Sequence, residues 1–143
     1  MGTAAAAGTG GIAPPRFFFD RNLGRRVPRL LAAAGWEVEI HDDHFPQETE
    51  DEDLLAAVAA RGWVFVTQDR RIRLRGAERA ALREHRVGAV FVSASAQLTA
   101  DHTAAALQEA TTAITTQLAR LEPPFILTVR RDGTVSVLHP PWE

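Results

Sequence analysis

Apolar residues in this chain fall into two kinds of pattern, short continuous runs and longer segments with helical spacing. The runs RFFF (16–19), WVFVT (63–67) and GAVFVS (88–93) are almost free of polar interruption, as is typical of strands buried on both faces of a sheet. The segment WEVEI (36–40) alternates apolar and polar residues, which predicts a strand nearer to a sheet edge. Four strands are therefore predicted before residue 94.

Helices are predicted between these strands. The apolar residues between positions 23 and 34 recur at helical spacing and predict a helix that starts near Arg25. Thr49, followed three residues later by Glu52, matches the capping-box pattern. We therefore expect a second helix to begin near Thr49 and to end at Gly62.

The remaining segments complete an α/β fold. The basic segment 70–86 predicts a loop and a helix, and a single long helix is predicted from Thr99 to Leu121. FILTVRRDGTVSVL (125–138) predicts a β-hairpin around an Arg-Asp-Gly turn. Strands that alternate with helices predict a mostly parallel sheet. We expect residues 1–14, which are rich in small residues and proline, to be a disordered leader, and residues 15–143 to form one domain.

The composition excludes several chemistries. The 143 residues include no cysteine, and the sixteen basic residues are all arginine. Thiolate metal sites and thiolate nucleophiles are therefore excluded, as is a P-loop, which requires a lysine. Receiver and haloacid-dehalogenase-type phosphoryl-transfer sites depend on a lysine as well. No apolar run approaches the ~20 residues of a membrane span, and residues 1–15 do not match a signal peptide, so we expect a cytoplasmic protein.

Charge is divided unevenly along the chain. Nine acids and no arginine lie between Glu37 and Asp53, whereas eight arginines and three acids lie between Arg61 and Arg86. This division suits a site in which carboxylates hold cations beside a surface that attracts a polyanion. It is equally compatible with two solvated surfaces of opposite sign.

Three acids are candidates for such a site. Asp20 and Asp69 come at the ends of two predicted buried strands, and ligands of parallel sheets bind beyond the carboxyl ends of the strands. A third carboxylate is expected from the first turn of the helix near Thr49, where Asp51 is our first choice and Glu52 and Asp53 are alternatives. Carboxylates that converge repel one another unless a cation neutralises them, and hard oxygen ligands favour Mg²⁺ or Mn²⁺.

The same residues have structural explanations. Asp20 can cap the helix that follows it, Asp69 can lie in a turn and pair with an arginine, and acids at 50–53 suit a helix N-terminus. The occurrence of all three together favours a site. Asn22 would orient Asp20 or cap the first helix, and Thr67 would bind a carboxylate or simply favour the strand.

The segment HDDHF (41–45) raises a separate hypothesis, because its first four residues are all of metal-ligand types. Adjacent residues rarely converge on one ion, so a structural zinc site is the less favoured alternative. Asp43 is instead a candidate for a fourth acid at the rim of the sheet.

The motifs FFFDRN (17–22), DEDLL (51–55) and VFVTQD (64–69), in this order and spacing, resemble the PIN-like ribonuclease domains. They are most similar to the branch that includes VapC-type toxins of bacterial toxin–antitoxin pairs. The similarity covers roughly residues 16–93. It implies a PIN-like three-layer sandwich with a mostly parallel central sheet, which here would end in the C-terminal β-hairpin.

The resemblance also implies a function, that of a metal-dependent endoribonuclease in which Asp20, Asp51 and Asp69 hold Mg²⁺ or Mn²⁺. Toxins of this class are usually held in check by an antitoxin protein, and homodimers are common. The expected partners are therefore RNA, a cognate antitoxin and a second copy of the chain. The basic residues expected to bind RNA phosphates are Arg70, Arg71, Arg73 and Arg75.

One position departs from the pattern of this branch. Many relatives carry a second acid two residues after Thr-x-Asp, where this chain has Arg71. The departure leaves the number of bound metals open. It favours, as the alternative, a catalytically inactive PIN-like binding or regulatory module.

Overall fold

The computed structural model describes residues 14–70, 76–93 and 99–138. Within these residues one sheet has six strands, β1 (Arg16–Phe19), β2 (Glu37–Ile40), β3 (Val64–Thr67), β4 (Gly88–Ser93), β5 (Phe125–Arg130) and β6 (Val135–Leu138). The strands lie in the order β2-β1-β3-β4-β5-β6; the first five are parallel, and β6 pairs with β5 in the antiparallel sense. The predicted α/β fold, with its mostly parallel sheet and C-terminal hairpin, is confirmed.

Helices follow the first four strands. Two short 3-10 turns, Arg21–Leu23 and His41–Asp43, come directly after β1 and β2. Within the described ranges the α-helices are α1 (Arg26–Ala33), α2 (Asp51–Ala60), α3 (Gly76–His85), α4 (Ala100–Glu109) and α5 (Thr111–Leu118). None of the described helices combines the length and the apolar character that a membrane crossing requires. Of the predicted leader, only Pro14 belongs to the described residues.

The continuous apolar runs occupy the middle of the sheet, as predicted. Phe18 and Phe19 of β1 are fully buried and point to opposite faces. Phe18 stacks on Trp63 with ring centroids 5.8 Å apart, whereas Phe19 approaches Trp36 at 6.4 Å. The alternating strand β2 forms the edge of the sheet, which confirms that prediction too. A strand buried on both faces has apolar side chains at every position, so β1 carries no polar residue between Arg16 and Asp20.

The strand order determines where a site can form. From β1 the chain first adds β2 on one side and then returns to add β3 on the other. Neighbouring connections therefore diverge at the boundary of β1 and β3, which opens a crevice at the carboxyl ends of these strands. Asp20 and Asp69 follow the two strands that border this crevice.

The predicted long helix from Thr99 to Leu121 is wrong, because the structure has two helices that meet at Ala110. The hydroxyl of Thr111 donates to the carbonyl of Gln108 at 2.7 Å, and that of Thr115 donates to Thr111 at 3.0 Å. Side-chain hydroxyls that bond to helix carbonyls bend helices. The predicted cap at Thr99 is present, since its side chain accepts from the N–H of His102.

The predicted capping box of α2 is also absent. The hydroxyl of Thr49 donates to the carbonyl of Pro46 at 2.7 Å and so stabilises the preceding turn. The helix begins at Asp51 with Glu50 as its N-cap residue, which makes no side-chain hydrogen bond to the helix. The acids Asp51, Glu52 and Asp53 still form the first turn, as the position of the helix required.

Candidate active site

Asp20 joins the ends of β1 and β3. Its backbone N–H donates to the carbonyl of Val66 at 2.9 Å, which extends the pairing of the two strands. Oδ1 accepts from the N–H of Arg21 at 2.8 Å and caps the 3-10 turn. Oδ2 accepts from the hydroxyl of Thr67 at 2.9 Å. The carboxylate therefore has the structural role of a cap and, through its second oxygen, a contact across the crevice.

Thr67 is the centre of this arrangement. It is fully buried at the end of β3, and its hydroxyl accepts from Nδ2 of Asn22 at 3.0 Å and from the N–H of Asp69 at 3.1 Å. A hydroxyl has one proton and two lone pairs, so these two bonds leave the proton for Asp20. The network therefore requires an acceptor at Oδ2 of Asp20, a requirement that a carboxylate meets.

Asn22 orients Asp20 through Thr67 and not directly. Its Oδ1 accepts from the N–H of Gln68 at 3.3 Å, and Nε2 of Gln68 donates to the carbonyl of Asn22 at 2.5 Å. These bonds join the loop after β1 to the loop after β3. Asn22 does not cap α1, whose N-cap residue Arg25 makes no side-chain hydrogen bond to the helix. Asp20 caps the 3-10 turn that contains Asn22.

Asp20, Asp51 and Asp69 line one cavity of about 470 Å³. Asp51 is the exposed first residue of α2, and Asp69 is half-buried in the loop after β3. The three acids come from three separate elements, and the structure brings them to the same cavity. Asp53, an alternative to Asp51 in the sequence, does not line this cavity.

Three further acids line the same cavity, namely Glu52, Glu78 and Glu84, and none of the described residues that line it is basic. Glu52 was an alternative to Asp51, but Glu78 and Glu84 were missed because α3 was treated as a basic helix. One signal could have found Glu84. It follows Ala77, Ala80 and Ala81 at helical spacing, so that it lies on the alanine face that α3 presents to the cavity.

The three aspartates do not form a tight group of potential ligands. Among the described residues, the ligand atoms that lie within 4.8 Å of one another belong to Glu52, Glu84 and His85. The side chain of Glu52 is 71% exposed, and its Oε1 lies 3.8 Å from Nε2 of His85. Repulsion between like charges favours such wide spacing of the aspartates.

The electrostatics of the cavity are strongest at Asp20. Burial raises the pKa of Asp20 above its ordinary value of 3.8, and the negative charge of Asp51 raises it further. The hydrogen bonds from Thr67 and from the N–H of Arg21, together with the charge of His41, act in the opposite direction but do not cancel the effect of burial. A cation in the cavity would favour the ionised carboxylate and so lower the pKa of Asp20.

The segment 41–44 forms ion pairs, and no shared metal site is visible among its side chains. Asp43 pairs with Arg25 and does not line the cavity. This is contrary to the expectation that Asp43 is a fourth acid of the rim. The physical reason is that the 3-10 turn presents the acids of this segment to the basic residues of the first connection. The pairs are His41–Asp42, Asp42–Arg21, Asp43–Arg25 and His44–Glu39.

The arginines expected to bind RNA are only partly described. Arg70 is an exposed turn residue directly after Asp69, and it does not line the cavity. Arg71, Arg73 and Arg75 lie outside the described residues. Their role in binding phosphates stays a prediction.

The sequence matches the model of the PIN-like domain over residues 15–94, which is more than half of the chain. The chain therefore belongs to the PIN-like domain family, whose members are generally nucleases. Comparison with curated proteins and with solved structures gave no match. The PIN-like part of the predicted resemblance is confirmed, whereas the VapC-type branch stays a prediction.

The hydroxyl of Thr67 should contribute more to stability than its methyl group. Thr67→Val removes the shared partner of Asp20, Asn22 and the N–H of Asp69, which should lower the free energy of unfolding by about 1–3 kcal/mol. Thr67→Ser keeps the hydroxyl and should lose about 1 kcal/mol or less. Urea denaturation measures both. Equal losses in the two variants would show that methyl packing, and not the hydrogen-bond network, holds the loops.

Ionisation of Asp20 should destabilise the protein in the absence of divalent ions. Because its folded-state pKa is raised above 3.8, its favourable contribution is fully present below that pH and is lost as the pH rises through the raised value. Measured in EDTA from below pH 3.8 upward, the wild type should lose stability relative to Asp20→Asn.

Asp132 provides a control of opposite sign. Its pKa is lowered, first by the backbone N–H of Thr134 and then by the hydroxyl of the same residue. Its contribution is present above pH 3.8 and is lost as the pH falls, so the wild type should gain stability relative to Asp132→Asn as the pH rises. If the stability of the wild type relative to each variant changed with pH in the same direction for Asp20→Asn and Asp132→Asn, the raised pKa of Asp20 would be contradicted.

Proposed function

We propose that this protein is a metal-dependent endoribonuclease and that Asp20, Asp51 and Asp69 hold the metal. The observation that carries the proposal is the meeting of three carboxylates from three elements in one cavity, at the carboxyl ends of β1 and β3. Membership of the PIN-like domain family supports a nuclease. The finer points, which are the RNA substrate, the metal and the toxin role, are proposals.

The residues present suit a hard divalent cation. The donors are all carboxylate oxygens, which favour Mg²⁺ or Mn²⁺, and a nearby positive charge would offset both causes of the raised pKa of Asp20. Mg²⁺ usually keeps several of its water molecules, so wide spacing of the aspartates is compatible with binding partly through water. Asp51 is the exposed first residue of α2, so its side chain can turn toward a cation in the cavity.

The reaction is hydrolysis of a phosphodiester. A bound divalent cation would lower the pKa of a water molecule and would stabilise the negative charge that develops on the phosphate oxygens. The water oxygen forms a bond to phosphorus, the bond from phosphorus to the leaving ribose oxygen breaks, and that oxygen takes up a proton. Thr67 and the N–H of Arg21 fix the orientation of the Asp20 carboxylate throughout, so that no reorganisation of this ligand is needed.

RNA is proposed as the substrate because the basic segment that begins at Arg70 directly follows Asp69 along the chain. Phosphate contacts from arginine provide affinity without sequence preference. Sequence preference must come from other residues of the site.

A toxin role in a toxin–antitoxin pair is proposed from the resemblance of the three motifs. The antitoxin would be a protein encoded beside this one, and a homodimer is the proposed oligomer. Co-expression with the neighbouring gene tests the toxin role, because a cognate antitoxin should co-purify with the chain and suppress cleavage. Unchanged cleavage in the presence of every adjacent gene product would contradict the toxin role.

The nuclease proposal predicts that Asp20→Asn abolishes cleavage of single-stranded RNA in Mg²⁺ or Mn²⁺, as EDTA should also do. Labelled oligoribonucleotides resolved on a denaturing gel measure cleavage. Binding is measured separately, since Mg²⁺ at a hundred times its Kd should raise the free energy of unfolding of the wild type by about 2.7 kcal/mol. The variant should show a smaller increase because it lacks one carboxylate.

Glu122→Gln is the matched control, because Glu122 is exposed and lies outside the cavity. It should cleave RNA and gain stability from Mg²⁺ as the wild type does. Cleavage that survives Asp20→Asn would point to another site or to a contaminant. Stabilisation by Mg²⁺ without any cleavage would favour the alternative of an inactive binding module.

A further inference from the structure

Two helices that pack against each other bring three metal-ligand side chains together. Glu52 lies in the first turn of α2, and Glu84 and His85 lie in the last turn of α3. Each residue offers one ligand atom, and the three atoms lie within 4.8 Å of one another. Glu52 and Glu84 line the cavity, whereas His85 does not. The group shares no residue with the three aspartates of the proposed catalytic site.

The imidazole of His85 has a nitrogen without a partner. Its Nε2 is shielded from solvent and forms no hydrogen bond with any described residue. Oε1 of Glu52 lies 3.8 Å from this nitrogen, which is beyond hydrogen-bond distance. A polar atom that is withdrawn from water without a partner is unfavourable. This nitrogen therefore distinguishes the group from a cluster of exposed acids.

The separation of 3.8 Å suits two ligand atoms that share one cation. Zn²⁺ lies about 2.0–2.1 Å from an imidazole nitrogen and about 2.0–2.2 Å from a carboxylate oxygen, so an ion between Nε2 of His85 and Oε1 of Glu52 can bond to both. Such an ion lies among its ligand atoms and does not have to reach Nε2 from the cavity. The side chain of Glu52 is 71% exposed, and exposed side chains change rotamer rapidly, so it can move aside to admit the ion.

The charges of the group also favour a cation. Glu52 and Glu84 bring two negative charges close together, and like charges repel one another. Glu84 lies in the last turn of α3, where the helix dipole disfavours a negative charge. A divalent cation offsets both effects and supplies the missing partner of His85.

We propose that Glu52, Glu84 and His85 form a second metal site, which binds Zn²⁺ or a similar transition-metal ion in preference to Mg²⁺ and joins α2 to α3. An imidazole ligand favours such ions, whereas Mg²⁺ prefers oxygen ligands alone. Water completes the coordination of the ion. The ion would fix the end of α3, which forms one wall of the cavity. The site requires neither RNA nor cleavage.

Zn²⁺ affinity can be measured by competition with a chromophoric chelator in excess Mg²⁺. His85→Gln should weaken Zn²⁺ binding about tenfold or more, since loss of an outer partner of a metal ligand already costs about 10–100-fold. Glu52→Gln should weaken it as well, and its exposed position makes this variant independent of the packing around His85. The matched control is His102→Gln, because His102 is exposed on α4. This control and Asp20→Asn should both keep the wild-type affinity.

NMR of the unaltered chain tests the ligand directly. Zn²⁺ should shift the ¹⁵N resonance of Nε2 of His85, whereas Mg²⁺ should leave it unchanged. Amide hydrogen exchange in the last turn of α3 should become slower in Zn²⁺, because the ion holds this turn to α2.

Three results would overturn the proposal. They are a failure of Zn²⁺ to bind, an unchanged resonance of His85 in Zn²⁺, and Zn²⁺ binding that Asp20→Asn removes while His85→Gln and Glu52→Gln retain it. The outcome is separable from that of the proposed nuclease. Zn²⁺ bound through His85 by a chain that cleaves no RNA would reject the nuclease and retain this site. Cleavage in Mg²⁺ by a chain that binds no Zn²⁺ would retain the nuclease and reject this site.

Discussion

The hydroxyl of Thr67 is the interaction on which the arrangement of the site depends. It accepts from Asn22 and from the N–H of Asp69 and donates to Asp20, so it holds together two loops that are far apart in sequence. The strand order makes this possible, because β1 and β3 are neighbours. A side chain without a hydroxyl at this buried position would leave three polar groups without their shared partner.

The same network holds a carboxylate where ionisation is unfavourable. Burial raises the pKa of Asp20 despite two hydrogen bonds to its oxygens. Sites that bind ligands commonly hold groups in states that reduce stability, and the ligand recovers the loss when it binds. A positive charge bound beside this carboxylate would offset part of that loss.

The sequence predicted the fold well wherever burial alone decided the structure. The apolar runs that end at Phe19, Thr67 and Ser93 match the ends of β1, β3 and β4. Predictions failed where polar side chains had a choice of partners. Thr49 bonds to Pro46 and not to α2, and Thr111 bonds to the preceding turn and divides the long helix. For the site, residues at strand ends could be placed from topology, whereas Glu78 of α3 could not, because its position depends on how two helices pack.

The charges of the described residues explain why the proposed function would need a cation beside the phosphate. The arginines of the first connection are committed elsewhere, since Arg21 pairs with Asp42 and Arg25 with Asp43. The described residues that line the cavity include six acids and no basic residue, and their charges repel phosphate. A divalent cation reverses the local sign of the potential. In the proposed function the metal would therefore be needed to hold a phosphate beside these acids.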